Sequence, residues 1–183
     1  MKVTIKQLKS FNACAEGLAW CKRQKNREVK HILRQCNKEG HFLWAAWYVA
    51  CIFTKPQAVL YSIFAAERCL PAFEKEFPND KRPRLAIEAA RKWLNSQTEE
   101  NKYAAWSAGY DAWYAASDAG PAAGYAGYAA WSAAGSATRY DAWSATRSAA
   151  WSAAEHTYRS AGSATRYDAW SALTEEAIRI LGL

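Results

Sequence analysis

The side chains able to do chemistry sit mostly in the first half of this chain, and their spacing matches no catalytic or metal-binding pattern. Five cysteines (Cys14, Cys21, Cys36, Cys51, Cys69) accompany His31 and His41 there. Intervals of 7 and 15 residues between Cys14, Cys21 and Cys36, and of 5 between His31 and Cys36, fit no zinc module, and no C-x-x-C occurs. Cys14 and Cys21 are two helical turns apart, so burial of one helix face accounts for both. The carboxylate pairs Glu99-Glu100 and Glu175-Glu176 fall where helices would start, and there they favour the macrodipole. No G-x-x-x-x-G-K-[ST] and no G-x-G-x-x-G is present. The expectation is a protein that is no enzyme, with no catalytic residue, no metal and no cofactor. A Cys–His pair that meets only in space is the remaining route to catalysis.

Binding chemistry is better represented. Between Lys2 and Lys38 there are ten Lys/Arg and two Glu, densest at Lys22, Arg23, Lys25 and Arg27. A second basic run holds Lys81, Arg82 and Arg84. These seven are the candidate partner-binding residues, attractive to a polyanion in a salt-dependent way. The competing reading is a solvated helix face.

The second half carries rings rather than charge. Gly135–Ala145 (GSATRYDAWSA) recurs as Gly162–Ala172. Between Tyr103 and Ala172, 25 of 70 residues are Ala and ten are Ser, so aromatics supply nearly all the bulk. At about 100° per residue, Tyr140, Trp143, Arg147, Trp151 and Tyr158 share one stripe, as do Tyr103, Trp106, Tyr110, Trp113 and Tyr114. Such stripes usually form a core, with large rings fitting small Ala faces. The alternative is a groove in which rings stack on bases and arginines hold phosphates, built from Arg139, Tyr140, Trp143, Arg147, Trp151, Arg166, Tyr167 and Trp170.

The elements that must position these residues all read as helices. Thr4–Gln7 has capping-box form, and Leu8, Phe11, Ala15, Leu18 and Ala19 follow at helical spacing. Further helices are expected at about 26–36, ended by Gly40, at 41–53 (apolar all round, hence central), at 56–70, ended at Pro71, and at 84–96. A short turn covers 73–77. Tail helices are expected near 99–119, 122–134, 139–161 and 166–181. They break at Gly120-Pro121 and at the Gly-Ser-Ala segments, with Thr138 and Thr165 as caps. One long tail helix is the rival. The apolar run 42–53 is too short to span a bilayer, and no signal peptide is visible, so a cytoplasmic location is expected.

Three segments carry a resemblance. Ala13–Trp20 (ACAEGLAW) resembles the opening of the "putative immunity protein" family of bacterial polymorphic-toxin systems and phages. Ala66–Lys75 (AERCLPAFEK) is similar to its middle motif, and Pro78–Trp93 continues it. The resemblance implies an all-helical fold, no established catalytic residue and neutralisation of a toxin by direct binding. It also implies, from the phage members, a counter-defence role or capture of a nucleotide signal. One departure is the charge: residues 1–102 carry a net +9 and 103–183 a net −2, within an overall +7.

The fold expected is all-α, a helical bundle with an Ala/aromatic-rich helical repeat tail. It forms one domain over 1–183, with a basic Cys-containing part (1–102) and a tail (103–183). The function expected is binding of a protein target, toxin or defence protein, without a membrane. Binding of nucleic acid or a nucleotide is the alternative. Rings in excess of what the tail can bury would also favour a homodimer.

Overall fold

The computed structural model of the chain describes residues 1–138, 142–161 and 163–183. It has ten helices among them: α1 (Ile5–Ser10), α2 (Ala15–Arg23), α3 (Val29–Lys38), α4 (Phe42–Ile52), α5 (Lys55–Glu76), α6 (Arg82–Asn95), α7 (Glu99–Asp118), α8 (Gly120–Thr138), α9 (Ala142–Ala161) and α10 (Ser163–Ile180). The described residues contain no strand, only an isolated bridge between Lys2 and Glu28. The fold is all-α.

Helix ends follow local chemistry. Thr4 Oγ1 accepts the Gln7 N–H at 3.1 Å and starts α1. The apolar spacing that predicts one helix through Ala19 is interrupted, because Asn12 takes φ 58°. Asn tolerates this left-handed conformation better than most residues. Cys14 then caps α2, its Sγ accepting the Gly17 N–H at 3.3 Å. Gly40, at φ 77°, ends α3 as expected. At the start of α5 the Gln57 side chain accepts the Thr54 N–H at 2.9 Å.

Pro71 does not end α5. It lies inside the helix, which runs on to Glu76. The ring is exposed, while Phe73 beyond it is fully buried, so the packing on the far side offsets the missing backbone bond. The expected cap at Thr138 concerns a helix start that lies outside the described residues, while Thr165 falls within α10 and does not precede it. Gly135 is inside α8. The break at Gly120 occurs as expected, and the tail is several helices.

The centre of the bundle belongs to α5 and α8, not to α4. Helix α8 packs on α5, α6, α7 and α9, whereas α4 meets α3, α9 and α10. Leu43 of α4 is exposed, and Trp44 and Trp47 are half-buried. What lets α8 occupy the middle is its small-residue surface. Ala126, Ala129, Ala130, Ala133, Ala134 and Ala137 are all buried. A Cβ on Gly127 would lie 2.7 Å from the Ala112 carbonyl oxygen and 2.7 Å from the Ala116 Cβ. One on Gly124 would lie 2.7 Å from the Ala116 carbonyl oxygen. The pairs Gly124–Ala116, Gly127–Ala112 and Gly109–Ala134 run in opposite directions, so α7 and α8 form an antiparallel hairpin. Between α5 and α8 the buried Ser62 and Ser136 hydroxyls meet at 3.1 Å, and Ser136 donates to the Ser132 carbonyl at 2.9 Å.

Ion pairs tie the periphery together. Glu175 and Glu176 do not start a helix, as Glu99 and Glu100 do, but lie in the C-terminal part of α10, where arginines hold them. Arg34 forms a two-bond pair with Glu175, joining α3 to α10 at 2.6 and 2.7 Å. Arg84 does the same with Glu74, joining α6 to α5. Arg82 bonds Asp80 and reaches Asp118 of α7 at 2.9 Å. Hydrogen bonds from these guanidinium groups hold the Glu74, Asp80 and Glu175 carboxyls below their ordinary range.

Two outcomes are expected. Gly127→Ala should destabilise the fold by about 1–3 kcal/mol in denaturant melts, because the added methyl meets backbone, despite the better helix propensity. Gly135→Ala, whose Cβ would meet nothing within 4 Å, should stabilise by about 0.5–1 kcal/mol. The depressed carboxyls contribute stability that is fully present above their unfolded pKa of about 4 and is lost as pH falls through the lower folded values. Melting temperature should therefore fall in acid, and a profile unchanged down to pH ~2 would contradict these pairs.

Candidate functional site

The basic residues divide into two groups. Lys22 and Arg23 occupy the last turn of α2, favourable for a helix C-terminus, and Lys25 and Arg27 follow in the loop. All four are exposed and make no ion pair among the described residues. The loop is pinned to the N-terminal segment by Val3 N–H to Arg27 O at 2.7 Å and Val29 N–H to Met1 O at 3.0 Å. Lys2, Lys25 and Arg27 thereby line one shallow hollow. The second group differs. Arg82 and Arg84 are engaged by Asp80, Asp118 and Glu74, and only Lys81 is left outward without such a partner. The structure does not merge the two groups: α2 packs on α1, and α6 on α5, α7 and α8.

The aromatic stripe of α7 is not core. Tyr103, Trp106, Tyr110, Trp113 and Tyr114 are 38–69% exposed, while Ala105, Gly109, Ala112, Ala115 and Ala116 face inward. The two faces of the amphipathic pattern are reversed relative to expectation, because Ala-to-Ala and Ala-to-Gly contact brings α7 nearer to α8 than any ring would permit. The rings pack on one another instead. Tyr103 stacks on Trp106 at 5.7 Å, Trp106 meets Tyr110 at 4.8 Å, and Trp113 meets Tyr114 edge-on at 5.1 Å. Leu85 of α6, also exposed, shares a hollow with Tyr103.

A separate groove of about 500 Å³ lies between α4, α8 and α9. It is lined by Leu43, Trp47, Tyr128, Trp131, Arg147 and Trp151, with Ser132, Ser148 and Ser152. Of the expected groove residues it gathers Arg147 and Trp151. Tyr167 is elsewhere, edge-on to Phe42 at 5.9 Å, and Trp170 is buried and stacked on the same ring at 5.8 Å. Arg139, Tyr140, Trp143 and Arg166 lie outside the described side chains. Four lining residues escaped the sequence reading: Leu43, Trp47, Tyr128 and Trp131. They come from two helices distant in sequence, and no local spacing marks them as neighbours. Ser132 Oγ is buried here and has no hydrogen-bond partner among the described residues.

The thiols do not form a reactive centre. Burial pushes Cys36 and Cys69 up to about 12 and raises Cys21, so these three stay protonated and weakly nucleophilic near neutral pH. No disulfide joins the five cysteines, and no group of three potential metal ligands occurs among the described residues. No described helix is long and apolar enough to cross a membrane.

Trp106→Ala and Trp113→Ala should each change stability by less than about 1 kcal/mol, as exposed substitutions do. Trp170→Ala should cost about 3–5 kcal/mol. Equal losses at all three positions in denaturant titrations would place the α7 rings in the core after all.

Comparison with curated proteins gives no match, and neither does comparison with solved structures. Residues 53–139, which span α5 to α8 and include the whole exposed ring face of α7, match the family described as Imm-5 like putative immunity protein.

Proposed function

We propose that this chain is a non-enzymatic immunity or counter-defence protein that neutralises a protein target by direct contact through the aromatic face of α7. The observation that carries this reading is coincidence in sequence: the immunity-family match covers 53–139, and the exposed rings at 103–114 fall inside it. Tyr and Trp supply large contact area at little cost in side-chain entropy, which is why they dominate binding hot spots. Rings already packed on each other lose still less freedom on binding. The unpaired edge of Lys22, Arg23, Lys25 and Arg27 adds long-range attraction and suits an acidic target. Action in the cytoplasm accords with five cysteines and no disulfide.

Binding of a nucleotide is the second reading, supported by the groove in which Arg147 lies among Trp47, Tyr128, Trp131 and Trp151. Base stacking between rings with an arginine on phosphate would use it.

The deciding experiment is toxicity rescue by co-expression with each toxin or defence protein encoded beside this gene. Wild-type chain should rescue. The double variant Trp106→Ala/Trp113→Ala should not, while keeping its melting temperature. Undiminished rescue by that variant would overturn the α7 surface, and no rescue by the wild type would overturn the immunity role. Sedimentation of the free protein checks the rival occupant of the face: a dimer abolished by the double variant would assign the rings to a second copy. Saturable binding of a mono- or cyclic dinucleotide by calorimetry, lost in Trp151→Ala, would instead favour the groove.

A further inference from the structure

Outside the family-matched segment, the N-terminal helices enclose a cavity of about 280 Å³ with a mouth between α1 and α2. Its wall includes Trp20, Trp44, Trp47 and Tyr48, and its floor Leu33 and Cys36. No Lys, Arg, His, Asp or Glu lines it. We infer that this cavity is a binding site for an uncharged, flat aromatic molecule of about two fused rings.

Three observations support the ligand class. First, size: an apolar cavity of about 150 Å³ takes a benzene ring, so roughly twice that volume takes a bicyclic molecule. Second, shape: the rings meet at an angle and so shape a cleft, Trp20 and Trp44 at 6.0 Å and 59°. They are fixed from behind, because His41 stacks on Trp44 at 4.0 Å and Trp20 Nε1 donates to Glu39 Oε2 at 2.5 Å. Third, polarity: no charged side chain lines the wall, the Asn12 amide lies at its exposed rim, and two of its other polar groups are already engaged. Tyr48 Oη donates to Gln7 Oε1 at 3.2 Å, and Cys14 Sγ accepts the Gly17 N–H. A charged ligand would lose its hydration inside with no ionic partner to replace it.

The mouth is shaped for entry. The connection between α1 and α2 turns at Asn12, held at φ 58°, and both Asn12 and Cys14 are exposed there. Gly17 keeps the passage wide, since a Cβ would sit 3.3 Å from Cys14 Sγ and 3.8 Å from the Trp44 ring. The cavity is also local. Elsewhere the bundle is packed tightly enough that a Cβ on Gly109 would come 3.1 Å from Ala134. A concave, mostly apolar space walled by four rings beside so close-packed an interface is the form small-molecule sites take.

The test uses the full chain with indole and 2-naphthol as neutral probes and indole-3-acetate as the charged control. Both neutral probes should bind one to one in calorimetry and raise the melting temperature, with indole-3-acetate weaker by at least ~tenfold. Ala45→Leu, which fills the cavity from its wall, should weaken neutral binding by at least ~tenfold. Absence of saturable neutral binding, or undiminished binding by Ala45→Leu, overturns the site. Should that variant not fold, alkylation of Cys14 followed by mass spectrometry decides on the wild type. Saturating indole slows the reaction if it occupies the mouth, and an unchanged rate overturns the inference. Trp106→Ala/Trp113→Ala should bind indole normally, so this result stands or falls separately from the proposed immunity role.

Discussion

The whole arrangement depends on how closely α7, α8 and α5 approach one another. Between α7 and α8, a single carbon added at Gly124 or Gly127 would collide with the backbone of Ala116 or Ala112, and one at Gly109 would press on the Ala134 methyl. Each buried alanine contributes little, on the order of one methyl group of apolar burial. A dozen of them in register contribute through many short dispersion contacts instead. Such an interface has no room for a ring, so the rings of α7 are pushed outward. Exposure of the aromatic face is thus a direct consequence of the packing.

Exposed rings are costly in an isolated chain, and contiguous apolar patches on soluble proteins usually mark contact surfaces. The α7 face and the groove over α4, α8 and α9 are linked through Trp131, whose indole lies 3.6 Å from where a Gly109 Cβ would be and also lines the groove. Both surfaces depend on the same small-residue contacts. Charge plays a different part. Arg34, Arg82 and Arg84 are spent on carboxylates that staple α3 to α10, the loop before α6 to α7, and α6 to α5. The edge at the end of α2 makes no such pair, so its arginine and lysine charge is available to a partner. Of the two basic runs in residues 1–102, the one at 81–84 is therefore largely neutralised where it stands.

Much of the candidate site was hidden from sequence for a definable reason. The stripe of Tyr103, Trp106, Tyr110, Trp113 and Tyr114 was visible as a stripe, but periodicity reports that a helix has two faces and not which one is buried. The usual weighting favours large side chains inside, and alanine reversed it. The groove combined Arg147 and Trp151, which were anticipated, with Leu43, Trp47, Tyr128 and Trp131, which were not. Residues from three helices share a wall only after packing. Arg82 and Arg84 looked like a second basic patch because Glu74 and Asp118, their partners, are 10 and 36 residues away.

The sequence by itself determined that this chain is all-helical, that its tail breaks at Gly120, that Gly40 ends α3, and that resemblance points to the immunity family. These are statements about local dihedral preference, capping and motif, and they need no neighbour. Tertiary structure alone decided three further matters. It carried α5 through Pro71, because Phe73 is buried beyond it. It moved the centre of the bundle from the apolar α4 to the alanine-lined α8. It also chose which face of α7 meets solvent. In each case the free energy of close packing between helices outweighed the preference that a single helix expresses alone.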